Sequence, residues 1–116
     1  MMTNTICRVE YNDYINKNIK KMGISGIEHK REVLPGQFLH IKPGSDYHGL
    51  LLRRPISISD VLPSTGIMEI IYLIKGPGTA ELSRLKPGDG VDVLGPLGNG
   101  LVLDDNVKNL LLIGGG

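Results

Sequence analysis

Arg53-Arg54-Pro55-Ile56-Ser57-Ile58-Ser59 sets two cations before a proline and then alternates apolar and hydroxyl side chains. Alternation with a period of two predicts a strand with one face buried. Pro55 has no N–H for a ladder, which puts the start of that strand at an edge or an irregular position. Guanidinium groups at its start and hydroxyls along one face suit an elongated anionic ligand lying against a sheet. A solvated basic edge strand fits the same seven residues, so the surrounding chain has to decide.

Turn signals on either side cut the chain into short apolar runs. Upstream, Pro35-Gly36 precedes a strand over 37–42 that closes at Pro43-Gly44. Residues 5–11 alternate as a first strand, Asn12-Asp13 reads as a turn or irregular link, and 17–24 reads as a second strand with its lysines in solvent. Residues 26–33 are polar and fit a loop or helical turn, while 45–49 form a loop exposing Asp46, Tyr47 and His48. Downstream, Pro63-Ser64-Thr65-Gly66 is a turn. Residues 67–75 are so continuously apolar that both faces are expected to be covered, as in a barrel strand that also supports a ligand or a neighbouring domain.

Gly76-Pro77-Gly78-Thr79 breaks that run. Residues 80–85 have helical spacing, with Leu82 and Leu85 three apart, Thr79 as N-cap and Pro87-Gly88 as terminator. A strand over 90–94 ends at Gly95-Pro96-Leu97-Gly98-Asn99-Gly100. Residues 109–113 read as an apolar strand entering Gly114-Gly115-Gly116; a βα nucleotide-binding unit begins this way, and a flexible tail has the same sequence. With 16 glycines and 7 prolines, about a fifth of the chain, spaced between short strands, the pattern predicts a small all-β barrel or sandwich.

The 116 residues are one domain's worth of chain. Thirteen basic and twelve acidic residues leave a net charge of +1, too little to steer the protein to nucleic acid or an anionic membrane. No Trp and one Phe argue against a base-stacking surface. Cys7 is the sole cysteine, which rules out an internal disulfide and a cysteine cluster for zinc or iron–sulfur, and it favours a reducing compartment. A polar N-terminus and the lack of a run of ~20 apolar residues point to a cytoplasmic protein.

Gly76-Pro77-Gly78-Thr79 opening a helix is a ready anion site, and an ordinary turn with a cap fits it as well. Set beside Arg54, it makes a second cationic site that could clamp the two phosphates of a dinucleotide. His29, His40 and His48 show no ligand spacing, no Ser/His/Asp arrangement supports hydrolysis, and Glu69 and Asp92 are strand acids without an evident partner. Cys7 reads as a small buried hydrophobe. Any reaction would need a borrowed cofactor.

Arg54-Pro55-Ile56-Ser57, then Ile71-Tyr72-Leu73, Gly78-Thr79, Gly95 to Gly100 and Leu111 to Gly116, in that order, resemble the ferredoxin–NADP reductase superfamily. More narrowly they are similar to the electron-transfer subunits of NAD-dependent dihydroorotate dehydrogenases. The resemblance covers the chain from Pro35 onward. It implies a six-stranded antiparallel Greek-key β-barrel with one short helix that binds FAD over residues 1–105, and the start of a truncated NAD-binding domain over 106–116. It implies that Arg54 pairs with the pyrophosphate, that Pro55 and Ile56 wall the flavin, and that Ser57 sits near its reactive edge. Ile71, Tyr72 and Leu73 would offer backbone contacts, and Gly78 and Thr79 would receive the phosphates. Arg53 falls outside the motif.

In that family, electrons pass from a catalytic flavin subunit through a [2Fe–2S] cluster and FAD to NAD⁺, in a heterotetramer serving pyrimidine biosynthesis. The resemblance therefore implies part of an oxidoreductase complex, a chain incomplete for catalysis alone, and no [2Fe–2S] ligands beyond Cys7. Ile56 stands where many members have a tyrosine, which fits the dihydroorotate branch, and Leu101 replaces a frequent aromatic. Another ferredoxin- or hydrogenase-linked reductase subunit and a cofactor-free interaction barrel remain open alternatives at this point.

Overall fold

The strands β1 (Asn4–Tyr14), β2 (Ile19–Ser25), β3 (Phe38–Lys42), β4 (Arg54–Val61), β5 (Met68–Leu73) and β6 (Gly90–Leu97) close into an antiparallel barrel in the order β1-β2-β5-β4-β3-β6. The computed structural model describes residues 4–28, 32–43 and 52–115; the expected loop over 45–49, with Asp46, Tyr47 and His48, lies outside them, as do His29 and Gly44. β3, β4 and β5 follow one another as a meander and β6 returns beside β3, which is the Greek-key order. Closure removes the free edges that an open sheet of this size would expose.

The core follows from period-two alternation. Met22 and Ile24 of β2, Leu39 and Ile41 of β3, Met68 and Ile70 of β5, and Val91 and Val93 of β6 all point inward and are buried. Each such side chain contributes about 1.5–3 kcal/mol on leaving water. α1 (Gly76–Ser83) connects β5 to β6 and adds Leu82 to this cluster, with Leu85 packed against it. Cys7 is buried among them, as its composition suggested, and burial, with the charge of Asp92 added, pushes its thiol up to about 11.

Several local expectations need correction. Asn12 and Asp13 are not a turn but continue β1, paired with Met22 and Lys21. One extra β1 residue between the Val9–Ile24 and Tyr11–Gly23 pairs makes a bulge there. The bulge reverses the inward parity, so Asn12 rather than Tyr11 faces the core. Tyr11 instead lies over Gly23 and donates its hydroxyl to Glu69, which with burial pushes the phenol up to about 12.

β6 does not stop at residue 94. It runs on to Leu97 because Gly95, at φ 142°, bends the backbone against β3, where an added Cβ would lie 3.1 Å from Leu39. Within this chain β5 has one covered face, with Met68, Ile70 and Tyr72 buried, and leaves Ile71 and Leu73 exposed on the face expected to support a ligand or a neighbouring domain. No strand forms over 109–113, where Leu110, Leu111, Leu112 and Ile113 are exposed and, among the described residues, no strand pairs with them. Glu69 and Asp92 are not isolated either. Asp92 accepts from the half-buried guanidinium of Arg53 at 2.8 Å, and the same fork donates to the carbonyls of His40 and Asp92. Arg53 thus ties the entry of β4 to β3 and β6.

Candidate functional site

The two central strands of the wall part company halfway along. β4 and β5 pair at Ile58–Ile70, Asp60–Glu69 and Val61–Met68, and the ladder stops there. Beyond it, residues 54–57 stay on β3 and 71–73 stay on β2. Ile58 donates its N–H toward β3, to Gln37, and Ile74 donates toward β2, to Asn18. By alternation along an antiparallel strand, the backbone groups of Pro55, Ser57, Ile71 and Leu73 turn toward the gap. Pro55 therefore lacks its N–H on the side where there is no ladder to interrupt, which answers the edge requirement inside a closed barrel.

This parting opens a groove of about 340 Å³ lined by Arg54, Pro55, Ile56, Ser57, Ile71, Tyr72, Leu73 and Thr79. Eight of the nine residues singled out from the sequence are its lining, and the ninth, Gly78, lies against one of them. Ile56 and Tyr72 are buried at its base, whereas Pro55, Ser57, Ile71 and Leu73 are exposed.

The helix starts four residues earlier than its spacing suggested. Pro77 occupies the first turn, where its missing N–H has no intrahelical acceptor to lose and its fixed φ suits the helix. Thr79 is thus not the N-cap, a place that Lys75 takes. Its hydroxyl nonetheless closes the turn: it accepts from the Lys75 N–H at 2.6 Å and donates to the Lys75 carbonyl at 2.9 Å. Gly78 is buried beneath Arg54, and a Cβ on it would lie 2.7 Å from the Arg54 Nε. Glycine there leaves the flexible Arg54 guanidinium its place, which a side chain would push aside, and φ is not in the left-handed region. Among the described residues no carboxylate pairs with Arg54, whose guanidinium donates to the Leu52 carbonyl at 2.9 Å.

Two side chains that sequence reasoning missed stand behind the site. Asn12 and Lys20 are the buried polar residues of the described core. The Asn12 amide donates to the carbonyls of Leu82 and Leu85 at 3.1 and 3.0 Å, and the Lys20 ammonium donates to that of Ser83 at 2.8 Å. Tyr72 donates its hydroxyl to the Asn12 side-chain oxygen at 2.7 Å, and burial pushes this phenol up to about 12. The expectation that the lysines of 17–24 lie in solvent fails for Lys20, which is buried because it shares the inward parity of Met22 and Ile24. No comparable signal marked Asn12, because the bulge that turns it inward is not written in the residue types.

A second groove, of about 360 Å³, lies between the loop carrying Val33, Leu34, Pro35 and Gly36 and the paired half of β4. Its charged lining residue is Asp60, so volume does not separate the two grooves but the sign of charge does. Among the described residues no cluster of His, Cys, Asp and Glu is arranged to hold a metal, and no helix is long and apolar enough to cross a membrane.

No protein-family model matches the chain. Curated relatives do. It is 43% identical over 112 residues to the dihydroorotate dehydrogenase B (NAD⁺) electron transfer subunit of Fusobacterium nucleatum, covering 95% of this chain and 43% of that one. The subunit of the same name from Bacillus velezensis is 45% identical, with 93% and 43% covered, and that from Streptococcus pneumoniae is 49% identical over 83 residues, with 70% and 32% covered. The chain thus spans less than half the length of the curated relatives it matches.

Among solved structures, an NADH-dependent reduced ferredoxin–NADP oxidoreductase superposes with a TM-score of 0.73 at 28% identity, over 84% of this chain and 34% of the other. An Amycolatopsis cytochrome P450 reductase shares the fold at 21% identity, with a TM-score of 0.66 over 92% of this chain and 32% of the other. Over the stretch it shares with them, this chain, a six-stranded ferredoxin reductase-like barrel, is a homologue of dihydroorotate dehydrogenase B electron-transfer subunits.

Proposed function

We propose that the groove between β4 and β5 holds FAD and that the chain is the flavin-carrying part of an electron-transfer subunit of an NAD-dependent dihydroorotate dehydrogenase. The observation that carries this reading is the Arg54 guanidinium lying over Gly78 at the start of α1, beside strand backbone turned into a gap. A pyrophosphate needs a fixed cation and nearby N–H donors, and a flavin ring needs a flat wall with backbone donors and acceptors at its rim. The groove offers both.

In this reading the Arg54 fork and the first turn of α1, with the Gly78 amide and Thr79, hold the phosphates. The helix dipole adds about 0.3–1 kcal/mol. Pro55 and Ile56 shape the wall, and Ser57 presents its amide or hydroxyl to the reactive edge of the ring. Ile71, Tyr72 and Leu73 meet the ring and ribityl chain through backbone, while the exposed side chains of Ile71 and Leu73 keep water from that side. Bound FAD supplies the hydride and single-electron chemistry that no side chain of this groove offers. The chain's own part is to bind, orient and screen.

The partner would be the catalytic flavin subunit, in a heterotetramer, with NAD⁺ as acceptor in the cytoplasm; the names of the relatives, electron transfer subunits of an NAD⁺-dependent dehydrogenase, support a catalytic partner subunit and the acceptor. We assign residues 1–105 to the barrel domain and 106–116 to the beginning of an NAD-binding domain. Support for that division comes from the exposed apolar run Leu110, Leu111, Leu112 and Ile113, which needs a neighbour to cover it. A [2Fe–2S] cluster does not fit the residues present: Cys7 is the sole cysteine, and it is buried.

Titration of the purified chain with FAD tests the reading. Binding should shift the flavin absorbance and quench its fluorescence, and Arg54→Ala should weaken both responses. A folded chain that binds neither FAD nor FMN would overturn it in favour of an interaction barrel.

A further inference from the structure

The far end of α1 is held by the two buried polar side chains of the described core, and neither touches the groove. An α-helix leaves its last carbonyls without intrahelical donors. Here the carbonyl of Ser83, and that of Leu85 just past the helix, are met from inside the barrel by Lys20 and Asn12, and Asn12 adds a second donor at Leu82, whose carbonyl also accepts the Leu85 N–H. Burying an ammonium and an amide is costly unless each finds partners, and an apolar pair of the same size would serve the core better if packing were all that mattered. The Asn12 oxygen, in turn, accepts from Tyr72, which lines the groove. One buried network therefore fixes the helix axis relative to β5, and with it the distance between the helix start under Arg54 and the wall formed by residues 71–73.

We infer that Asn12 and Lys20 are positioning residues for the phosphate-bearing part of the ligand: they clamp the C-terminal end of α1 so that its first turn stands in register with Arg54. The inference rests on the FAD reading above and extends it to residues outside the groove. A rigid helix tethered at one end transmits a tilt to the other. Losing the clamp should thus displace the first turn at Gly78 and Thr79, while the wall presented to the ring keeps its β-ladder to β2.

Riboflavin, which carries the ring and ribityl chain but no phosphate, separates the two effects. Binding of FAD and of riboflavin would be measured on the full chain, on Lys20→Met, whose unbranched stem fills nearly the same space, and on Asn12→Ala. Both variants should bind FAD about tenfold more weakly, the scale on which misplacing a binding group acts, and riboflavin within about twofold of the unaltered chain. Equal weakening of both ligands, or unchanged FAD binding by a folded Lys20→Met, would overturn the clamp and leave the FAD reading standing. Failure of the unaltered, folded chain to bind FAD would overturn the reading itself, and the clamp with it.

Discussion

β4 and β5 are one strand pair in two conditions: zipped over residues 58–61 and 68–70, and parted over 54–57 and 71–73. The zipped half carries ladder bonds and inward Met68 and Ile70, both fully buried. The parted half carries a proline, an arginine that no carboxylate among the described residues neutralises, and outward Ile71 and Leu73. The two halves differ in pairing, since 54–57 lies on β3 and 58–61 on β5 while β5 stays on β2 throughout, and side-chain chemistry at a few positions differs with it. Stability is concentrated in the first and binding capacity in the second, and substitutions should respect that division.

The largest effect should fall on the zipped half. Ile70→Ala removes a fully buried side chain and should lower unfolding free energy by about 2–5 kcal/mol in urea titration, with FAD affinity of the surviving folded fraction little changed. On the parted half the order reverses. Arg54→Ala should leave stability within about 0.5 kcal/mol, as for most surface changes, yet weaken FAD binding by roughly 1.5–3 kcal/mol, about 10- to 100-fold. Added salt should shrink that gap, because the lost contact is ionic.

Gly78→Ala sharpens the contrast further. Alanine favours a helix over glycine by about 0.5–1 kcal/mol, so the melting temperature should hold or rise. The new methyl must displace the Arg54 guanidinium, however, and FAD affinity should fall about tenfold. A substitution that stabilises the fold and weakens the ligand is one that a purely structural glycine would not give.

The smallest effect belongs to the closed wall alone. Burial keeps the Cys7 proton on the folded chain up to about pH 11, whereas the unfolded chain releases it near the ordinary thiol value of 9.0. The folded state binds more protons in that window, so this contribution is complete below pH 9 and is lost as pH rises toward 11. Tyr11 and Tyr72, both pushed up to about 12, act in the same direction at higher pH. Urea midpoints from pH 8 to 11 should therefore fall less steeply in Cys7→Ala than in the unaltered chain.

Much of this was legible in residue types because the parted half is marked by unusual ones. Pro55 cannot serve a ladder, Gly78 leaves room, and Arg54 stands out as a charge at the start of a strand. The alternation of Leu39 with Ile41 and of Val91 with Val93 marked the barrel in the same way. What escaped depended on geometry that no residue type announces. The bulge after Val9 turned Asn12 from an apparent turn residue into a buried donor, and it hid the clamp on α1. Gly95 read as the end of a strand because glycine and proline usually end one, yet here the pair bends β6 and lets it continue. The run at 109–113 has the composition of a buried strand, and composition alone does not supply the neighbour that burial requires.

Amide hydrogen exchange on the folded chain, with and without FAD, tests the central claim most directly. The account predicts that FAD slows exchange at residues 54, 56 and 57, at 71–73, and at 78–79, and leaves the groove formed by 33–36 and 58–61 unchanged. Protection confined to that second groove, or none in residues 54–57 and 71–73, would contradict it.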